Sequence, residues 1–389
     1  MTTRMEDVII VGAGPTGLAL AAELRRLGIG AMLFDRLVEG ANTSRATVVH
    51  ARTLEVLEPL GISDVMVARG IQLRAGQLRE KGGKIKATIA FDELPTKYPF
   101  VLALPQNLTE EILVARLREL GGSIVRPIEA TSLTQTSQCA TLTYTAAGTL
   151  VQELSARWVV GCDGLHSMVR QAVGIDFTGG AYEESFVLAD VEMDWPMSSH
   201  AAANTLELFL GDEGITLIAP LPNNIWRIIA TQANPPQHPD VQDCQAILDA
   251  RTVAGAKVHR VVWSSRFRIQ HRVADKLRQG RVLLAGDAAH VHSPAGGQGM
   301  NTGVQDAITL ANALTTAIRS GDESELAAWE EKRLKIAHSV VNTTDKMTKL
   351  ALSSNPLAHL LRESMLGLMG HVPALEHAVA RRLSEIDNR

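Results

Sequence analysis

The sequence is short of cysteine, of aromatic residues and of net charge, and each shortage removes a class of function. The three cysteines, Cys139, Cys162 and Cys244, stand far apart with no Cys-x-x-Cys pair. That pattern offers neither a disulfide framework nor a thiolate zinc site, and it fits a reduced, cytoplasmic protein. Lysine and arginine total 38 against 42 acidic residues, a formal charge of −4, so no electrostatic excess invites nucleic acid or an anionic membrane. The opening MTTRMEDVII lacks the basic-then-apolar layout of a signal peptide. A long unbroken apolar run is also missing. Val8 to Leu24 comes nearest, but Gly12, Gly14, Pro15 and Gly17 interrupt it, and a buried strand followed by a helix fits better than a bilayer crossing. A soluble protein without integral membrane association is expected.

What is present is enough apolar material for more than one core. Hydrophobic residues make up 46% of 389, a length that implies two or more domains sharing a cleft. Asp7 to Val11 is a continuous apolar run, typical of a strand buried on both faces of a parallel sheet. Leu18 to Leu27 reads as a helix closed by Gly28, and Ala31 to Phe34 as the next strand, completing a βαβ unit. Thr109 to Leu120 reads as a helix. Leu78 to Lys81 and Lys84 to Phe91 flank Gly82-Gly83 as a hairpin; Ala140 to Thr145 and Leu150 to Leu154 form another strand pair. Trp158 to Gly161 and Arg281 to Ala285 return to the buried-strand style. Between them, Thr205 to Leu210, Ile215 to Leu221 and Ile225 to Ala230 are strands joined by tight turns, the pattern of an antiparallel sheet. From Met300 onward the chain reads as mostly helical.

The expected fold class is therefore α/β. It combines a Rossmann-like, three-layer dinucleotide domain with an inserted, mainly antiparallel β-sheet domain and C-terminal helices. The first domain draws on residues 1–75, 103–178 and 268–335, the second on 76–102 and 179–267, and the helical region on 336–389.

Three strand-end motifs carry the chemistry. In Gly12-x-Gly14-x-x-Gly17 the glycines permit a tight turn, and Pro15 and Thr16 enter the helix. Backbone N–H groups there can approach a pyrophosphate lying on the helix N-terminus. Asp35 ends the second strand, 21 residues beyond Gly14, where a carboxylate can accept from ribose hydroxyls. This fingerprint does not separate NAD from FAD. The second motif is Gly161-Cys162-Asp163-Gly164, leading into His166, Ser167 and Arg170. The third is Gly286-Asp287-Ala-Ala-His290, continued by Pro294-Ala-Gly296-Gly297-Gln298-Gly299-Met300-Asn301-x-Gly303-x-Gln305-Asp306. His290 and His292 stand two apart, which invites a metal reading, but no third ligand cluster accompanies them, so no metal is expected.

Taken in order and spacing, these motifs resemble the FAD-dependent aromatic hydroxylases, the group A flavoprotein monooxygenases that include 4-hydroxybenzoate, phenol and polyketide hydroxylases. The resemblance covers nearly the whole chain, and Arg272 to Asp287 closely matches the segment before the family's third motif. It implies FAD as cofactor, NADPH or NADH as transient co-substrate, O2, and a small aromatic substrate, hydroxylated through a flavin C4a-hydroperoxide. It further implies that Gly12, Gly14, Pro15, Thr16, Gly17 and Asp35 hold the adenosine diphosphate half, and that Asp287, beside Gly286, binds ribityl hydroxyls. Asp163 matches a residue near the pyrophosphate and the nicotinamide path, Arg45 one on the pyrophosphate, and Gln106 one on the ribityl–phosphate side. Arg36 and His166, with Arg45, match positions implicated in nicotinamide recognition. Gly297, Gly299, Met300 and Asn301 open the helix that starts near Met300 toward the flavin's pyrimidine edge, where negative charge gathers on reduction. Pro294, Gly296 and Gly297 are expected to line the oxygen pocket with backbone groups, and the family's metal-free motif already contains His290.

Other readings share this scaffold: Baeyer–Villiger or epoxidising oxygenases, an FAD dehydrogenase or oxidase, and a non-enzymatic FAD- or ligand-binding protein. The halogenase segment Trp-x-Trp-x-Ile-Pro is absent. Leu206, Leu208 and Leu210, or Ile215, Leu217 and Ala219, are expected to supply one apolar wall for substrate, with the ligand-facing side left open by the pattern. Phenol hydroxylase and many polyketide hydroxylases continue into a thioredoxin-like domain, whereas this chain stops at Arg389. The apolar stretch Leu350 to Met369 suggests a helix over the active-site domain, with a homodimer surface as the other reading.

Overall fold

The computed structural model describes residues 5–40, 46–146, 150–197, 204–211, 213–352, 355 and 372–388. Its first sheet starts from the strand Glu6–Val11 (β1), whose Val8, Ile9 and Ile10 are wholly buried. Helix α1 (Pro15–Arg26) follows, with Pro15 in its first turn and Arg25 and Arg26 in its last, where cations oppose the negative end of the helix dipole. Ala31–Phe34 (β2) pairs parallel with β1 on one side, and Leu150–Gly161 (β3) pairs parallel on the other. Beyond β3 lies Val282–Leu284 (β4), also parallel. The chain therefore brings the C-terminal ends of β1, β3 and β4 side by side from segments more than a hundred residues apart, the expected doubly wound arrangement.

Two features differ from expectation. The strand expected at Leu150 to Leu154 and the one expected at Trp158 to Gly161 are a single element. The first half of β3 pairs antiparallel with Ala140–Ala146, while its second half enters the parallel sheet. Ala140–Ala146 and Ile128–Gln135 thus form a flap, with Tyr144 lying 5.1 Å from Phe34 of β2. The helix expected from Thr109 starts three residues earlier, at Gln106, because Pro105 occupies the cap position.

The second sheet has eight strands. Two of them, Phe177–Asp194 and Lys257–Ala274, are 18 residues long each and pair antiparallel along their length. The three expected strands follow as Thr205–Gly211, Gly214–Leu221 and Ile225–Thr231. The hairpin Ala75–Arg79/Ile85–Ala90 completes the edge, and its turn glycines, Gly82 and Gly83, both adopt positive φ. A small third sheet, with no counterpart in the sequence reading, joins Val48–Val49, Val101–Ala103 and Ile71–Leu73.

Helices α2 (Gln298–Ser320) and α3 (Ser324–Leu352) follow β4, and α4 (Pro373–Leu383) closes the described chain. Most of the apolar stretch Leu350 to Met369, read as a helix over the active-site domain, lies outside the described residues. No described helix is long and apolar enough to cross a membrane.

Candidate active site

The site grows from the ends of β1, β3 and β4. Gly12 leaves β1 with φ +103°, and a Cβ there would stand 2.3 Å from the Cys162 carbonyl oxygen. The first turn can touch the end of β3 only because residue 12 has no side chain. Gly17 is tighter still, since its Cβ would lie 1.9 Å from the Gly12 carbonyl oxygen. Gly14 differs: nothing lies within 4 Å of its Cβ position. It caps α1 in an extended conformation with no side-chain cap bond. The first N–H groups of a helix have no partner inside it, so this uncapped, open start is a seat for an anion. Asp35 braces the turn, accepting from Ala13 N at 2.7 Å and Leu37 N at 2.8 Å, with Arg126 at 3.9 Å. Each carboxylate oxygen keeps a second lone pair for a ligand hydroxyl.

The end of β4 meets this turn directly. A Cβ on Gly286 would stand 2.5 Å from Thr16 Oγ, and one on Gly303, in α2, 2.6 Å from the same oxygen. Three separated segments thus converge on one threonine. Asp287 is exposed beside them. Asp306, one helical turn beyond Gly303, is buried and accepts from Gly286 N, from His290 Nε2 at 2.6 Å and from Arg333 Nε at 2.5 Å. Burial alone would raise this carboxyl, but the Arg333 guanidinium and His290 hold it below the ordinary carboxylate range. His290 is spent on Asp306, while His292 Nδ1 lies 2.9 Å from Ser293 O. The two imidazoles do not converge, and among the described residues no group of three or more His, Cys, Asp or Glu could hold a metal.

At the end of β3, Asp163 accepts from Val169 N at 3.1 Å, while its Oδ1 is buried without a partner. Burial raises its pKa. Arg170, which the sequence reading left without a role, reaches from this motif to Ala288 O of the third motif at 2.8 Å, stacked 3.9 Å over Phe177. His166 and Arg36 are both exposed. Gln106 accepts from Ala46 N at 3.2 Å and donates to Glu110. Arg45, expected alongside, lies outside the described residues.

The loop before α2 is built from left-handed glycines, Gly296 (φ +81°) and Gly297 (φ +65°), which Gly297 N closes onto Pro294 O at 2.8 Å. No side chain caps α2. Asn301 is fully buried; it donates to Gly297 O and Val48 O and accepts from His50 N. Gly299 lies under His292, and Met300 is half-buried. His50 and Glu385 were not legible as site neighbours. Glu385 is buried against Thr302 and Gln305 of α2, and burial pushes its pKa up to about 8.

The register settles which face of the second sheet looks inward. Leu208 stands opposite Leu217 and Leu210 opposite Ile215, so Leu206, Leu208, Leu210, Ile215, Leu217 and Ala219 share one face. Leu206 and Leu210 pack toward the core of the first sheet. The alternate residues Phe209 and Ile218 belong instead to a separate core with Trp195 and Trp226. Arg227, on the inward face opposite Ala219, is buried with Asp190 and reaches Ala46 O and Thr47 Oγ.

Comparison with known proteins agrees with this geometry. The family described as FAD binding domain matches residues 5–344. A 12-dehydrotetracycline 5-monooxygenase/anhydrotetracycline 6-monooxygenase of Streptomyces rimosus is 35% identical, over 98% of this chain and 77% of its own. Pentachlorophenol 4-monooxygenase of Sphingobium chlorophenolicum is 29% identical over 89% of this chain and 65% of its own. The crystal structure of p-nitrophenol 4-monooxygenase from Pseudomonas putida superposes with a TM-score of 0.89 at 25% identity, covering all of this chain and 98% of that one. Two distant glycines meeting at one threonine, two uncapped helix starts and a match over most of the sequence have one common explanation: the chain belongs to the FAD-binding family of flavin-dependent aromatic monooxygenases.

Proposed function

We propose that this flavin-dependent monooxygenase uses NADPH or NADH and O2 to place one hydroxyl on a flat, multi-ring phenolic substrate of the polyketide type. The observation that carries the reading is the convergence of Gly286 and Gly303 on Thr16 beside the uncapped start of α1. The same reading divides the chain into a cofactor unit, residues 1–75, 103–178 and 268–335, and a substrate sheet, 76–102 and 179–267. That β1 to β4 all fall in the first set, and most strands of the second sheet in the other, supports that division.

FAD, when bound, supplies two-electron transfer from the nicotinamide and the activation of oxygen. The residues fit it. The N–H groups of Thr16 and Gly17, just after Pro15 at the start of α1, seat the pyrophosphate, and the free lone pairs of Asp35 serve a ribose. Asp287, exposed beside Gly286, suits ribityl hydroxyls, with Gln106 on the phosphate side and Asp163 near the pyrophosphate; the resemblance assigns Arg45 to the pyrophosphate as well. Gly297, Gly299, Met300 and Asn301 present the start of α2 to the pyrimidine edge. Pro294, Gly296 and Gly297 line the oxygen side with backbone groups and exclude water. Exposed Arg36 and His166 suit a nicotinamide cofactor that binds and leaves.

The half-buried leucines and isoleucines of the inward face form an aliphatic wall for a broad ring system. Relatives named as monooxygenases of 12-dehydrotetracycline, anhydrotetracycline and 6-methylpretetramide support the multi-ring class. Unpaired Cys139, Cys162 and Cys244 support a cytoplasmic setting.

The test is a panel of simple phenols and fused-ring polyketides offered to the FAD-reconstituted protein under isotopically labelled oxygen. The expected outcome is NAD(P)H oxidation accelerated about tenfold or more by an accepted ring, a barrier change of about 1.4 kcal/mol, and a product carrying one labelled atom. Ligand-stimulated oxidation with no label in the product would move the protein to the dehydrogenases and oxidases.

A further inference from the structure

The loop in front of α2 has a polarity that its own residues do not determine. Gly296 and Gly297 both adopt left-handed φ, and without a Cβ at either position nothing steric keeps their shared peptide from turning over. A turned peptide exchanges an N–H for a carbonyl on the side facing the cofactor. In this structure both ends of that peptide are held. Gly297 N donates to Pro294 O at 2.8 Å. On the opposite side, Gly296 O lies 2.7 Å from His50 Nε2. A carbonyl oxygen can only accept, so Nε2 carries the proton.

His50 is well placed to act as such a clamp. It is buried, 3% exposed, at the cap position of the helix Ala51–Leu57, and its own N–H is fixed by Asn301 Oδ1 at 2.8 Å. Its Nδ1 has no partner and no access to water. Burial lowers the imidazole to about 4, so the ring is neutral at working pH and has a single proton to donate.

We propose that His50 is a positioning residue for the flavin-facing loop: it draws the Gly296 carbonyl into the protein interior, so that this carbonyl is kept away from the flavin. This rests on the cofactor reading above. A carbonyl turned outward would set partial negative charge beside the pyrimidine edge, where negative charge gathers on reduction. The reduced cofactor would then be held less well relative to the oxidised one.

The test uses FAD-reconstituted protein carrying His50→Phe, His50→Asn or His50→Gln, measuring flavin midpoint potential, FAD affinity and NAD(P)H oxidation. Phe removes the donor, Asn keeps polarity but is too short to span the gap, and Gln restores an N–H at similar reach. For Phe and Asn the midpoint should fall by about 30 mV, tenfold for a two-electron couple. The kcat should fall about tenfold, with KM for NAD(P)H within about twofold of wild type. Gln should recover most of both shifts. A wild-type midpoint in His50→Asn, or an equal shift in Asn and Gln, overturns the proposal. Should His50→Phe fail to fold, the Asn and Gln pair still decides. A wild-type protein that does not take up FAD refutes the cofactor reading itself, a result distinct from a yellow, reducible protein whose potential ignores residue 50.

Discussion

The starts of α1 and α2 do related work by different means. Both lack a side-chain cap and both open from a glycine. The α1 turn is held by backbone against backbone: Gly12 on Cys162, Gly17 on Gly12, with Asp35 as its one side-chain brace. The α2 turn is held mainly by side chains, some of its own and some from distant parts of the chain. His50 and Asn301 take its carbonyls, Leu383 packs at Gly296, and Gln298 donates to the carbonyls of Arg382 and Leu383. Close packing of glycines has no slack and admits no substitution. A frame of hydrogen bonds and buried charges is adjustable, one partner at a time.

The strongest way to break this comparison is at Gly17. An alanine Cβ there would overlap the Gly12 carbonyl at 1.9 Å, so Gly17→Ala should cost on the order of 5 kcal/mol and abolish FAD binding. Gly14→Ala, with open space around its Cβ, should keep the melting temperature and weaken FAD about tenfold. Melting curves with FAD titrations check both, and equal destabilisation by the two alanines would erase the distinction. Next in size is Arg333→Met, which strands buried Asp306 without its guanidinium. A loss of about 3–4 kcal/mol in urea unfolding is expected, with FAD affinity falling because Asp306 also holds Gly286 N.

A pH dependence sharpens the α2 side. Glu385 keeps its proton to about pH 8 in the folded protein, against 4.5 for an ordinary glutamate. The stability it contributes is therefore full below about pH 4.5 and is lost as pH rises toward 8, by up to about 1.4 kcal/mol per unit. Glu385→Gln should flatten that fall between pH 5 and 8 while leaving stability near pH 5 within about 1 kcal/mol of wild type. An unchanged slope in the denaturation profile would show that Glu385 does not titrate there.

The same contrast explains what could be read beforehand. The α1 turn was legible because its spacing, strand, helix and Asp35 all lie within one βαβ unit, and the structure places them as expected. Gly286 and Gly303 were legible by resemblance, although their meeting at Thr16 was not, because no local pattern states which glycine touches which threonine. The inward face of the second sheet stayed open in the sequence, since alternation names two faces without saying which is inside; the packing of Leu206 and Leu210 against the core of the first sheet decided it. His50 and Glu385 gave no signal. Each works through a bond to a residue at least eighty positions away, and a buried histidine or glutamate has no local signature of its partner.

One consequence concerns time. Strand β1 finds one parallel neighbour, β3, only at residues 150–161, and β4 completes that side at Val282–Leu284. At synthesis rates of about 5–20 residues per second, roughly 15–55 s pass between the emergence of Val11 and that of β4. Throughout that interval the parallel sheet that β1 begins stays incomplete on the ribosome. Slow translation or scarce chaperone capacity should thus lower the yield of this enzyme before any defect in its chemistry is felt.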